Sequence, residues 1–145
     1  MSCCCTKKET FFCENAPAAI GPYSVAVSTG SLVFVSGQLG LEKETGSLVA
    51  GGIQAQTRKA LENMKAILES AGLGMENVVK TTVFMLDMGQ FADMNAVYSE
   101  FFTSDFPARS AIQVAGLPKN GIVEIEAIAV KPHDHEDENC CCHDN

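Results

Sequence analysis

Residues 51–74, GGIQAQTRKALENMKAILESAGLG, and the segment NVVKTTVFML at 77–86 decide the fold class of this chain. In the first, apolar side chains recur at Ile53, Ala60, Leu61, Met64, Ile67, Leu68 and Ala71, the i, i+3, i+4 spacing of one helical face. Arg58, Lys59, Glu62 and Lys65 take the other, wet side, and Gly72 supplies the left-handed residue that closes such a helix. The second segment is a run of β-branched and apolar residues without that period, as in a strand covered on both faces. A long amphipathic helix followed at once by a strand makes the chain mixed.

Working upstream, SVAVS (24–28) and SLVFVSGQ (31–38) read as a hairpin around Thr29-Gly30. NAPAAIGPYS (15–24) is an irregular entry, and LEKETGSL (41–48) a solvated turn around Thr45-Gly46. Downstream, GQFADMNAVYSEFFTSD (89–105) returns to helical spacing, and Pro107 is expected to end that helix. RSAIQVAGLP (109–118) and VEIEAIAVKP (123–132) are two further strands on either side of a Lys119–Gly121 turn. The order ββ–α–β–α–ββ predicts an α+β sheet whose two helices each present one apolar face.

At 145 residues and 46% hydrophobic composition, the chain has enough apolar mass for one domain with a core. No apolar run approaches the roughly 20 residues that span a bilayer, and MSCCCTKKET lacks the apolar centre of a secretion signal, so the expected location is cytoplasmic. Five of the 18 acidic residues, and no Lys or Arg, fall in 133–145, so −5 of the net −8 resides there and −3 in the rest. Neither part offers the basic stripe that grips a phosphate backbone, which makes nucleic acid an unexpected partner.

The seven cysteines crowd the two ends: Cys3, Cys4, Cys5, Cys13, Cys140, Cys141 and Cys142, with His133, His135 and His143 beside the last three. Thiolates and imidazoles suit soft metals. The C-x-x-C spacing that lets two thiolates grip one ion is absent, however, so the ends read as tails and no metal site is expected. The expected division is a tail at 1–13, a domain at 14–132 and an acidic His/Cys-rich tail at 133–145.

With no His and no Cys between Glu14 and Pro132, a histidine base or thiol nucleophile in the core is excluded. The chemistry-bearing groups left are Arg109 in FPARSA, Glu124 and Glu126 in VEIE, two tyrosines, and polar residues embedded in apolar stretches. Arg109 stands at a strand opening on the face of Ala111 and Gln113. It is either an edge-strand cation that discourages aggregation or a fork for a carboxylate. Glu124 and Glu126 share the face of Ile128 and Val130, and that face either begins wet or carries a functional carboxylate.

The same residues carry a resemblance. NAPAAIGPYS, VSGQ, VVKTTVFMLDMGQFADMNAVYSEFF and FPARSAIQVAGLPKNGIVEIEAIAV resemble the RidA family, also called the YjgF family, from about Glu14 to Lys131. The resemblance implies a chorismate-mutase-like mixed sheet with two helices on one face, assembled as a homotrimer with sites between subunits. It implies hydrolysis of reactive enamines and imines, such as 2-aminoacrylate and 2-iminobutanoate, to 2-keto acids and ammonia, with no metal or organic cofactor. By that resemblance Arg109 clamps the substrate carboxylate and Glu124 handles the attacking water. Tyr23, Ser36, Gly37 and Asn95 line the pocket, and Ala111, where several relatives have cysteine, offers only its backbone. On antiparallel strands, Arg109 and Glu124 are expected five to seven residues apart along one sheet, too far for one small substrate. Two other readings go with the resemblance: an endoribonuclease, disfavoured by the acidic charge, and a non-catalytic 2-keto acid binding or chaperone-like module.

Overall fold

A computed structural model describes residues 7–132 of the chain. Six strands form one sheet: β1 (Glu9–Phe11), β2 (Ala26–Thr29), β3 (Leu32–Leu39), β4 (Val78–Met85), β5 (Ala108–Gln113) and β6 (Val123–Val130). Their spatial order is β1-β2-β3-β6-β4-β5, antiparallel throughout except for the parallel pair β4–β5 at one edge. Helices α1 (Gly52–Ser70) and α2 (Phe91–Phe101) pack together on one face, which gives the α+β architecture expected from the sequence.

The helical period of 51–74 does what its spacing requires. Ile53, Leu61, Met64, Ile67 and Leu68 share one core with Val33, Val35, Val83, Met85, Ile125 and Ala127 of the sheet, and Ala60 is wholly buried too. Gly72, at φ 75°, closes α1, and the amide of Leu73 donates back to the Leu68 carbonyl. Arg58 is exposed but not simply solvated, since its guanidinium pairs with Glu100 of α2.

Four expectations are corrected. β4 is covered on one face only: Thr81, Val83 and Met85 are buried under the helices, while Lys80, Thr82 and Phe84 line an open face. Helix α2 ends at Phe101 rather than at Pro107, because Phe102 turns back into the core, with its ring centroid 4.6 Å from that of Tyr98. Cys13, assigned to a tail, is buried in the core as a free thiol. Glu9–Phe11, assigned to the same tail, pairs with β2 as an edge strand. The expected cysteine and histidine clusters at 3–5 and 133–143 lie outside the described residues. Among the described residues, no helix is long and apolar enough to cross a membrane.

Candidate active site: a guanidinium and a carboxylate on opposite faces

Arg109 sits on the helix side of the sheet. Its Cα partner on β4 is the wholly buried Thr81, and partners across a ladder share a face. From there the guanidinium reaches over α2, where Nη1 donates to Oδ1 of Asn95 at 2.7 Å. The aromatic rings of Tyr98 and Phe91 lie 4.6 and 5.4 Å from the guanidinium carbon. Asn95, Tyr98, Ser99, Phe106, Pro107 and Arg109 line a cleft of about 450 Å³. No carboxylate among the described residues lies in ion-pair range of Arg109, so its charge has only neutral partners.

Ala111 follows on the same face at the free edge of β5. The bond from the Val114 amide to the Met85 carbonyl fixes the alternation along this strand. The amides and carbonyls of Arg109, Ala111 and Gln113 therefore point away from β4, off the sheet edge. The backbone at Ala111 is thus presented whatever its side chain.

Glu124 lies on the other face, opposite Phe84 and beside Leu39. Its cleft, about 360 Å³, is lined by Ile20, Tyr23, Ser36, Gly37, Leu39, Pro118, Glu124 and Glu126. Burial pushes the Glu124 carboxyl above the ordinary carboxylate range, and the negative Glu126 adds to the shift.

The seat of Glu124 is a β-bulge. Between Val35, which pairs with Ala127, and Gln38, which pairs with Ile125, β3 carries one residue more than β6. The extra length is taken up at Ser36-Gly37. A Cβ on Gly37 would overlap Oε1 of Glu124 and stand 2.8 Å from its Cδ, so only glycine leaves room for that carboxyl. The bulge is tied down on both sides: Ser36 Oγ donates to the Ser24 carbonyl at 2.6 Å, and the buried Gln38 amide donates to the Ser36 carbonyl at 3.1 Å. Tyr23 is half exposed, and its hydroxyl accepts from the Ile20 amide at 3.2 Å.

The seven sequence-predicted residues therefore fall into two groups. Tyr23, Ser36, Gly37 and Glu124 share one cleft. Asn95 and Arg109 share the other, with Ala111 two residues further along β5. Along the strands, Arg109 is level with Thr81 and Glu124 with Phe84, an offset of three residues rather than five to seven. What parts the two groups is the sheet itself, since β4 intervenes and the side chains point to opposite faces. Sequence reasoning counted Tyr98 among the chemistry-bearing groups without placing it beside Arg109, and missed Phe91 and Thr81. It also missed the bulge, whose available signal was a glycine inside a strand pattern.

A guanidinium cleft on one face and a carboxylate cleft on the other mark this six-stranded α+β sheet. Residues 13–131 match the family model described as Endoribonuclease L-PSP. The chain is 53% identical over 126 residues to the 2-iminobutanoate/2-iminopropanoate deaminase of Salmonella typhimurium, covering 85% of this chain and 98% of that protein. It is 52% identical over 124 residues to the RutC family protein PH0854 of Pyrococcus horikoshii, covering 86% of this chain and 98% of that one. The crystal structure of the Escherichia coli YjgF gene product superposes with a TM-score of 0.81 at 50% identity, over 86% of this chain and 99% of that one. The chain belongs to the RidA (YjgF) family.

Proposed function

We propose that the chain is an imine deaminase that hydrolyses reactive enamine and imine intermediates, of the 2-aminoacrylate and 2-iminobutanoate type, to 2-keto acids and ammonia. The observation that carries this reading is Arg109: a guanidinium held by an amide oxygen and two rings, with no carboxylate in ion-pair range. Such a group is set to take the carboxylate of a substrate through two parallel hydrogen bonds. Relatives named as deaminases at about half identity over most of the chain support the same conclusion.

The chemistry then needs little. The enamine tautomerises to an imine, and protonation of the imine nitrogen makes its carbon electrophilic. Water adds its oxygen to that carbon while one of its protons passes to Glu124, a carboxylate whose pKa is raised by burial and is therefore a stronger base than an exposed one. The resulting carbinolamine loses its amine as ammonia: Glu124 returns the proton to nitrogen, the C–N bond breaks, and the hydroxyl proton passes to the Glu124 carboxylate as its oxygen becomes the keto oxygen. Holding the carboxylate on Arg109 while water waits at Glu124 uses positioning, worth up to about 7–11 kcal/mol in ideal cases. No metal or organic cofactor enters this scheme, and the cytoplasm is its proposed location.

Because the two clefts open on opposite faces of one chain, one substrate can meet both groups only if they come from neighbouring subunits. A head-to-tail ring brings unlike surfaces together in this way, and a homotrimer is the ring we propose. The apolar open face supports it: Leu32, Phe34 and Ile112 are exposed there beside Ile128 and Val130.

The test is formation of 2-ketobutyrate from freshly generated 2-iminobutanoate with wild-type protein and with Arg109→Lys. The lysine keeps the charge and loses the fork, and a loss of about tenfold or more in kcat/KM is expected. A folded Arg109→Lys variant with full activity would reduce Arg109 to an edge-strand cation.

A further inference from the structure

Arg109 is gripped by residues that the reaction above does not use. The Tyr98 ring lies 4.6 Å from the guanidinium carbon, and Tyr98 is itself fixed at both ends. Its hydroxyl shares a 2.7 Å hydrogen bond with Oγ1 of Thr81, and its ring packs on Phe102. Thr81 is wholly buried in β4, beside Arg109 in the β4–β5 ladder. Contacts thus run from β5 to α2, from α2 to β4, and from β4 back to β5.

We propose that Tyr98, anchored by Thr81, is a positioning residue that sets the plane of the Arg109 guanidinium for the substrate carboxylate. The inference rests on the deaminase reading and names how that site holds its arginine. A carboxylate fork needs two N–H groups in one plane, so the tilt of the guanidinium matters as much as its charge. Asn95 receives a single hydrogen bond, which leaves the plane free to turn about it. A flat ring beneath removes that freedom. An aromatic face attracts the cation yet accepts none of its in-plane donors, so those stay free for the ligand. A carboxylate in the same place would hold the arginine as firmly and consume the donors.

The Thr81–Tyr98 bond has its own logic. Valine and phenylalanine would fill nearly the same space, and burying two hydroxyls is costly unless they satisfy each other. What the pair adds is direction, since the ring is held at one tilt over Thr81, level with the base of Arg109.

The test uses full-length protein with Tyr98→Phe, Tyr98→Leu and Thr81→Val, each alone and combined with Arg109→Ala. Three quantities are read: kcat/KM for 2-iminobutanoate, 2-ketobutyrate affinity by calorimetry, and thermal stability. Tyr98→Leu is expected to lower both activity and ketobutyrate affinity about tenfold, from loss of the cation–ring contact and of orientation. Tyr98→Phe keeps the ring and is expected to stay within about threefold of wild type. When Arg109 is already alanine, Tyr98→Leu should cost nothing further in affinity or rate, the signature of a residue that acts through another. Where Tyr98→Leu does not fold, Thr81→Val carries the test, with a loss of about threefold that also vanishes in the Arg109→Ala background. Equal losses in both backgrounds, or no loss in a folded Tyr98→Leu, overturn the inference. Wild-type protein that binds 2-ketobutyrate without hydrolysing imine would sink the deaminase reading alone, and the affinity data then decide the role of Tyr98. Wild-type protein that does neither sinks both.

Discussion

Gly37 shows how one missing side chain makes a site. Its φ is not in the left-handed region, so alanine meets no backbone strain there. The added methyl would instead displace the Glu124 carboxyl, a flexible group that can swing away cheaply. Gly37→Ala is therefore expected to leave the melting temperature nearly unchanged and to lower kcat/KM about tenfold or more, as misplacement of one catalytic group does. A loss of stability without loss of activity would put the role of Gly37 in folding. Glu124 makes a second prediction, through pH. Its carboxyl is held above the ordinary range by burial first and by Glu126 second, so the native state keeps a proton that the unfolded chain has released. Stability then falls as pH rises from the ordinary carboxylate value, about 4.3, through the raised one. Glu124→Gln should match wild type in acid and melt higher at neutral pH. The acid limb of kcat/KM should lie above pH ~4.3 and move down in Glu126→Gln, which removes the neighbouring charge. An unmoved limb would mean that the two carboxyls do not feel each other.

At the scale of elements, legibility followed periodicity. Helix α1 and strand β6 were readable because one face of each is almost wholly apolar, which their spacing displays. The end of α2 was not, because Phe102 leaves the helix for a place in the core that only the fold provides. Nor was β1, three residues long and lacking an apolar pattern, whose place depends on an open edge of β2. The candidate site divides in the same way. Arg109 and Glu124 could be singled out as charged residues at strand openings, but the bulge at Ser36-Gly37 beneath Glu124 and the ring beneath Arg109 are tertiary features. Strand β1 can be tested directly. Lys131 Nζ lies 4.0 Å from Glu9 Oε2 and bonds Ser28 Oγ at 3.3 Å, so this edge is stitched by side chains as well as by the ladder. Removing residues 1–6 should leave activity and melting temperature as they are. Extending the deletion through Phe11 should uncover β2 and Cys13 and lower the melting temperature by several degrees, since ~1 kcal/mol corresponds to about 4 °C at this size. Equal melting temperatures for the two truncations would make β1 energetically idle.

For the whole molecule, the question is how two clefts on opposite sides of a sheet serve one small substrate. Within a chain they cannot, because Arg109 opens on the helix side at one edge and Glu124 lies two strands inward on the other face. The backbone groups of β5 that point off the edge, and the apolar open face carrying Phe34 and Ile112, are both surfaces that a neighbouring copy would cover. If the ring is closed and directional, each interface combines Arg109 of one subunit with Glu124 of the next. Arg109→Ala and Glu124→Gln then each keep only a small residual activity alone, yet are complementary when mixed. Unfolding the two together and refolding them at equal amounts distributes the chains at random. An interface is competent only if its Arg109 side comes from the Glu124→Gln chain and its Glu124 side from the Arg109→Ala chain, which has a probability of about one quarter. Recovery of about a quarter of wild-type activity is therefore expected, with native mass spectrometry confirming that the trimers are mixed. Tilting the mixture to either variant should lower the yield along the product of the two fractions. Mixed trimers without activity would place both groups of each working site in one subunit, and the separation of the clefts across the sheet would then need a conformational change to bridge it.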